Sequence, residues 1–92
     1  MIKTFRCGDT AALFAGRRVA RFANISDVAT RKLQQIDIAA TIDSLRAPPG
    51  NRLERLKGDR RGQYSIRIND QWRVCFVWRR HGVFDVQIVD YH

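Results

Sequence analysis

Several residue types and patterns are scarce in this 92-residue chain, and each scarcity excludes a class of protein. The two cysteines, Cys7 and Cys75, lack a CxxC spacing, so we expect reduced, buried thiols and neither a disulfide framework nor a zinc site. The longest apolar runs, such as Val74–Trp78, are far shorter than the roughly 20 residues that cross a bilayer. The first residues lack a signal-peptide pattern, so we expect a cytoplasmic protein with no membrane partner.

Negative charge is also scarce. Lysine and arginine number 17 against 9 acidic residues, which gives a net charge of +8. Residues 46–80 alone carry ten basic and three acidic groups, and most of the cations are arginines, whose planar guanidinium suits phosphate. This block favours a polyanionic partner, with nucleic acid first. The alternative is a solvated basic face that meets an acidic protein.

The spacing of apolar residues predicts one long helix, over Ile25–Ala40, which Ser26 or Asp27 starts. The short segment Met1–Arg6 is expected to form an edge strand. Because the chain has no linker, repeat or low-complexity segment, we expect a single domain over residues 1–92. The apolar stripe of the long helix consists of Ile25, Val28, Ala29, Leu33, Ile36 and Ala40.

Shorter elements flank this helix. Asp9 or Thr10 can cap a brief helix that Gly16 stops. After the long helix, Thr41 can cap a further short turn. The run Pro48-Pro49-Gly50-Asn51 is expected to end all helix, because proline cannot continue a helix and glycine turns the chain.

The second half of the chain alternates apolar and polar residues, as strands do. Short turns between the strands predict antiparallel hairpins, and helices over one face make the fold a two-layer α+β domain. We expect Trp72, Phe76 and Trp78 to pack under the helices, and Arg67 and Arg73 to lie exposed on the opposite face. The predicted strands are Arg52–Lys57, Gln63–Asn69, Trp72–Trp78 and Val83–Tyr91.

Three groups of residues can carry chemistry, although no familiar catalytic motif is present. Glu54, the sole glutamate, lies in the basic block as either a salt-bridge partner or a proton acceptor. Asp90 and His92 fall on one side of a strand, where a carboxylate can orient a histidine for acid–base work; the alternative is a frayed terminus.

The third group is the set of cations Lys57, Arg60, Arg67 and Arg73. On a sheet face these side chains can hold a phosphate backbone and stabilise the charge that develops during RNA cleavage. Cleavage of RNA can use the 2′-hydroxyl of the substrate as its nucleophile, so the protein needs to supply position, charge and proton transfer. The alternative is non-specific binding.

The stretches 48–60 and 62–73, together with the ending Asp90-Tyr91-His92, resemble the HigB family of bacterial toxins within the RelE/ParE superfamily. The resemblance spans the whole chain and is most specific from Leu56 to Phe76 and at the terminal triplet. It implies a microbial-RNase-like fold, cleavage of mRNA in the ribosomal A site, and no cofactor. It also implies a HigA-type helix-turn-helix antitoxin as partner, in a complex that represses its own operon by binding operator DNA.

The resemblance further implies roles for particular side chains. Carried over by position, Lys57 and Arg73 would bind the scissile phosphate, and Asp90, Tyr91 and His92 would complete the active site. From the charge pattern, we expect Arg60 and Arg67 to assist in substrate binding. His92, oriented by Asp90, would donate a proton to the leaving group, and Tyr91 would stack on a base. These eight catalytic and binding positions are Glu54, Lys57, Arg60, Arg67, Arg73, Asp90, Tyr91 and His92.

One position departs from the family pattern. Some HigB members have a histidine where this chain has Glu54. A glutamate accepts the proton in another branch of the superfamily, so either Glu54 substitutes for the histidine or the toxin is weaker.

Two rival functions stay open on the sequence. One is a non-enzymatic toxin that binds a protein target, like the gyrase-directed ParE branch. The Asp90–His92 pair argues against it, because a pure binder has no need of a titrating terminus. The other is a plain nucleic-acid-binding module. The adjacent gene would separate these classes, since a small helix-turn-helix protein encoded downstream identifies a toxin.

Overall fold

A computed structural model describes residues 1–90, and Tyr91 and His92 lie outside the described residues. The helices pack on one face of a four-stranded antiparallel sheet of order β1-β2-β3-β4, which confirms the two-layer α+β prediction. The two α-helices are α1 (Gly8–Phe14) and α2 (Ser26–Ile38), and the strands are β1 (Glu54–Arg55), β2 (Gln63–Arg67), β3 (Trp72–Arg79) and β4 (Gly82–Asp90). Short 3-10 helices occupy Ala20–Phe22, Ile42–Leu45, Pro49–Asn51 and Gly58–Arg60.

Helix α2 begins at Ser26, as predicted, but ends two residues before Ala40. Ala40 is exposed, so its place in the apolar stripe was wrong, while Ala29, Leu33 and Ile36 are fully buried. Thr41 caps the following turn as expected, because its Oγ1 accepts a hydrogen bond from the Ser44 backbone N–H at 3.2 Å. No helix within residues 1–90 is long and apolar enough to cross a membrane.

The first helix begins earlier than the sequence indicated. It starts at Gly8, so neither Asp9 nor Thr10 caps it. Thr10 is instead buried, and its Oγ1 accepts a hydrogen bond from the Ile88 backbone N–H at 3.0 Å, which ties the helix to β4. Gly16, with a positive φ of 89°, takes the left-handed conformation that follows the helix end.

The edge strand expected over Met1–Arg6 is reduced to two isolated parallel bridges, Ile2 with Val83 and Phe5 with Val86. This segment supports a bulge in β4 at Asp85, whose φ is 55°. Thr4 Oγ1 accepts a hydrogen bond from the Asp85 N–H at 2.9 Å. The extra residue of the bulge allows Val83 and Val86, three positions apart, to be buried in the same core.

The core lies between the helices and the inner face of the sheet. Phe76 is fully buried, which confirms its predicted place, and Trp72 and Trp78 are half-buried against the same cluster. Phe22 meets Trp72 edge-to-face, with ring centroids 5.6 Å apart. This packing leaves the opposite face of the sheet without a helix over it.

The strand expected over Arg52–Lys57 is reduced to Glu54–Arg55. Arg52 takes the left-handed conformation, with φ 45° and ψ 58°, which no regular strand accommodates. On the other side of β1, Lys57 directly precedes the 3-10 helix Gly58–Arg60. The expectation that residues 48–51 end all helix was therefore wrong, since two 3-10 turns flank β1.

Candidate functional site

The face of the sheet turned away from the helices carries the candidate site. In the register of β2 and β3, Arg67 lies opposite Arg73 and Ser65 lies opposite Cys75. Glu54 of β1 lies opposite Ser65. Because directly opposed residues share a face, these five side chains lie on one face of the sheet. The predicted placement of Arg67 and Arg73 on the face turned away from the α-helices is confirmed.

Arg73 is buried within this face, with only 7% of its surface exposed. Its Nε donates to Ser65 Oγ at 2.8 Å, and its Nη2 donates to the carbonyl oxygens of Arg52 at 2.8 Å and Ser65 at 3.3 Å. The expectation that Arg73 lies exposed was therefore wrong. The left-handed turn at Arg52 brings its carbonyl over the sheet, where it fixes the guanidinium plane.

Glu54 forms an ion pair with this arginine. Glu54 Oε1 lies 3.8 Å from Arg73 Nη2, and about half of the glutamate side chain (53%) is exposed. A pair that is half-open to water contributes about 0–1 kcal/mol, so it stabilises the fold little. The geometry gives Glu54 a salt-bridge partner and also leaves its carboxylate accessible from solvent beside a fixed positive charge.

Arg60 and Arg73 both lie near the buried thiol of Cys75. Burial raises the pKa of Cys75, and the positive charges of the two arginines oppose that rise. Arg60 is half-buried at the end of a 3-10 helix, and its Nη1 donates to Gln63 Oε1 at 3.4 Å. Two cations therefore converge on one region of the sheet face.

The other two predicted cations lie at the margin of this region. Lys57 is exposed and precedes the 3-10 helix Gly58–Arg60, and its carbonyl accepts a hydrogen bond from the Arg60 N–H at 3.3 Å. Arg67 is partly exposed and forms an ion pair with the fully exposed Asp70. The structure thus gathers Glu54, Arg60, Arg67 and Arg73, with Lys57 on the adjoining turn.

Asp90 ends β4, and by its register it falls on the face of the sheet that packs against the helices, not on the face that carries Arg73. The preceding residue, Val89, is the register partner of Arg73, and Asp90 is the partner of Trp72. Its Oδ2 accepts a hydrogen bond from Gln71 Nε2 at 3.2 Å. The predicted roles of Tyr91 and His92 lie outside the described residues.

Sequence reasoning missed the side chains that position the arginine and the turn before β1. Ser65 and the Arg52 carbonyl hold Arg73. Asn51, fully buried, accepts a hydrogen bond from Lys32 Nζ and donates to Gln35 Oε1 and to the Leu45 carbonyl, both at 3.1 Å. The available signal was weak: Ser65 is a small polar residue between apolar neighbours, and Asn51 reads as a turn residue.

Within positions 1–90, no group of three or more histidine, cysteine, aspartate or glutamate side chains is arranged to hold a metal ion. Both cysteines are unpaired, with Cys75 buried as expected and Cys7 half-buried.

Comparison with known proteins gives a consistent result. Residues 16–92 match the family model of the HigB-like toxin, described as the RelE-like toxin of the type II toxin–antitoxin system HigB. The chain is 33% identical to Endoribonuclease HigB of Proteus vulgaris over 93 residues, with 100% of both chains covered. It is 45% identical to Toxin HigB-1 of Vibrio cholerae over 56 residues, a match that spans 61% of this chain and 59% of that protein.

A structural comparison identifies the same architecture. The YoeB–YefM complex from Staphylococcus aureus contains a chain that superposes with a TM-score of 0.63 over 100% of this chain and 98% of that one. The sequence identity is 17%, so this likeness concerns the fold.

Proposed function

The chain belongs to the HigB-like toxins, the RelE-like toxins of type II toxin–antitoxin systems, and from this premise we propose that it is an endoribonuclease that cleaves mRNA in the ribosomal A site and so inhibits translation. The full-length relative from Proteus vulgaris is named an endoribonuclease, which supports the activity. The observation that carries the proposal is the pair Arg67 and Arg73 on one sheet face, which Arg60 joins through Gln63, with the Glu54 carboxylate 3.8 Å from Arg73.

The reaction is a transesterification within the RNA. The 2′-oxygen attacks the adjacent phosphorus, the bond from phosphorus to the 5′-oxygen breaks, and the products are a 2′,3′-cyclic phosphate and a 5′-hydroxyl. The proton of the 2′-hydroxyl passes to Glu54, and a proton passes from His92 to the departing 5′-oxygen. The side chains provide charge and proton transfer throughout, so the proposed enzyme is metal-independent and uses no cofactor.

Arg73 acts on the negative charge that develops on the phosphoryl oxygens. Its guanidinium is held by Ser65 and by the Arg52 carbonyl, so it undergoes little reorganisation during the reaction. Fixed positive charge in a partly desolvated site stabilises such a transition state strongly. Lys57 joins Arg73 on the scissile phosphate, and Arg60 and Arg67 bind neighbouring parts of the substrate.

The terminal residues complete the proposed site. Asp90 orients His92, and Tyr91 stacks on a base, a contact that tolerates any sequence. Asp90 is anchored beside the turn between β2 and β3 through Gln71, which fixes the point from which the last two residues continue.

The proposed partners follow from the family. A HigA-type helix-turn-helix antitoxin binds and neutralises the toxin, and the complex represses its own operon by binding operator DNA. The structural neighbour from Staphylococcus aureus is a toxin–antitoxin complex, which supports an antitoxin partner of some kind.

The reaction class is tested by the chemistry of the product ends. Purified protein is incubated with ribosomes programmed with a defined mRNA, and the fragments are analysed for their 5′ and 3′ termini. We expect fragments that begin with a 5′-hydroxyl and end in a 2′,3′-cyclic phosphate. A 5′-phosphate product would contradict the mechanism, and intact mRNA would favour a toxin that only binds its target.

A further inference from the structure

A groove of about 250 Å³ lies between α2 and the end of β2, beyond the last pairing of β1. Three cations line it, Arg31 and Lys32 from the helix and Arg67 from the strand. Val28 and Ile68 contribute apolar surface. Of these five side chains, only Arg67 also belongs to the candidate site on the sheet face.

Positive charge is crowded in this groove. Burial lowers the pKa of Lys32, and the neighbouring charges of Arg31 and Arg67 lower it further. The described residues that line the groove include no acidic side chain; Asp70, on the β2–β3 turn, pairs with Arg67 from a fully exposed position. Lys32 also donates to Asn51, which holds its ammonium group at the edge of the groove. Such an arrangement favours an anion between the cations.

We propose that this groove binds a backbone phosphate of the substrate RNA that flanks the scissile phosphate, with the adjoining ribose over Val28 and Ile68. The inference rests on the proposed ribonuclease function and adds a second phosphate site to it. Arg31 and Lys32 are the new substrate-binding residues, and neither is among the site residues that the sequence predicted.

Continuity with the candidate active site identifies RNA as the occupant. Arg67 lines the groove and lies directly opposite Arg73 in the sheet, so one strand of RNA can pass from the sheet face into the groove without leaving positive surface. The size agrees with this assignment, since pockets for whole drug-sized ligands have about 300–1,000 Å³ and this groove suits one phosphate with its sugar.

The test compares two double variants of the full chain that remove the same charge. Arg31→Gln/Lys32→Gln alters the groove, and glutamine keeps an uncharged hydrogen-bond donor at each position. Arg17→Gln/Arg18→Gln is the matched control, because these two arginines are exposed and line a different cleft. The probe is an uncleavable 2′-O-methyl RNA hexamer, titrated at several salt concentrations, with the backbone amides of Gly50 and Cys75 as NMR reporters for the groove and the sheet face.

We expect RNA to shift both amides in the wild type. The groove variant should bind about two- to fivefold more weakly, as befits exposed charge contacts. The slope of log affinity against log salt concentration should be about 0.7 less steep for the groove variant than for the wild type. This is the contribution of one phosphate contact on single-stranded nucleic acid. The control variant should retain the wild-type slope, and circular dichroism should show that both variants are folded.

Other outcomes overturn the proposal in distinguishable ways. If RNA shifts the Cys75 amide signal but not that of Gly50, or if both variants lose the same affinity for RNA, the groove does not bind RNA. The ribonuclease proposal is unaffected by either result. No RNA shift at either amide counts against both. A Gly50 shift produced by a glutamate hexapeptide and not by RNA assigns the groove to an acidic protein partner.

Discussion

Arg73 joins three parts of the chain through one guanidinium group. It lies on β3, donates to Ser65 on β2, reaches the carbonyl of Arg52 before β1, and pairs with Glu54. Such a residue serves the fold and the proposed chemistry at the same time. Mutations at this scale must therefore separate loss of stability from loss of charge.

The first prediction concerns Arg73 and its partner. Arg73→Ala should abolish detectable cleavage and also lower the free energy of unfolding by about 1–3 kcal/mol, because buried acceptors at Ser65 and Arg52 lose their donor. Ser65→Ala is the matched control: it leaves the buried Arg73 Nε without its acceptor, at a similar cost of about 1–3 kcal/mol, but keeps the positive charge, so much of the activity should remain. Urea unfolding and single-turnover cleavage on programmed ribosomes give the two readouts. If folded Arg73→Ala protein cleaves like the wild type, the arginine is purely structural.

The second prediction separates the two roles of Glu54. If Glu54 is the proton acceptor, Glu54→Gln should lower the single-turnover rate of cleavage by about 10²–10⁴, which is the usual contribution of a positioned general base. Stability should change by less than about 1 kcal/mol, because the ion pair with Arg73 is half-exposed. Arg46→Gln removes a surface ion pair with Asp43 remote in sequence from the site and should alter neither quantity. A rate within a few-fold of wild type would restrict Glu54 to salt bridging.

The third prediction concerns His92. Deleting it removes no backbone within the described fold, so stability should be retained. Loss of a general acid should lower the cleavage rate by about 10²–10⁴ while ribosome binding stays nearly unchanged. Asp90→Asn should have a smaller effect, since it removes orientation and charge support alone. Rates and affinities measured side by side decide the matter, and an active deletion variant would exclude the general-acid role.

At the scale of elements, the short strand β1 depends on the segments around it. Asn51 is buried and joins α2, through Lys32 and Gln35, to the turn that precedes Arg52. The left-handed conformation of Arg52 then directs its carbonyl to Arg73. The position of Glu54 therefore follows from packing well outside its own strand.

The fourth prediction tests this support. Asn51→Ala should lower the free energy of unfolding by about 1–3 kcal/mol, because the Gln35 amide oxygen and the Leu45 carbonyl lose a buried donor. For a domain of this size, each kcal/mol shifts the melting temperature by roughly 4–8 °C. Cleavage should also fall at temperatures where the variant is fully folded. Thr41→Ala, which removes an exposed cap on the neighbouring turn, should lower the melting temperature without slowing cleavage. Equal rates for the two variants would show that Asn51 does not position the site.

The same elements show which features the sequence could predict. The hairpins β2–β3 and β3–β4 follow from alternation and turn residues, which are local signals. The bulge at Asp85 depends on Thr4, 81 positions away, and the burial of Arg73 depends on a backbone conformation at Arg52. These features arise from contacts between distant segments, so no local pattern announces them. The cations of the site were accessible from composition and resemblance, whereas the groove beside α2 required the structure.

At the scale of the whole molecule, the chain is a small basic domain with a net charge of +8. Its proposed substrate is mRNA held in a ribosome, itself a dense array of phosphates. Binding should therefore weaken steeply with salt, as phosphate contacts do. Positioning by the ribosome can lower the barrier by up to roughly 7–11 kcal/mol, which a site with only these few groups requires.

The measurement that tests the account most directly is the cleavage rate of one mRNA in three states: free in buffer, on ribosomes with an open A site, and on the same ribosomes with the A site filled by cognate tRNA. We predict rapid cleavage at the A-site codon in the second state and little cleavage in the first and third. Equal cleavage of free and ribosome-bound mRNA would contradict it.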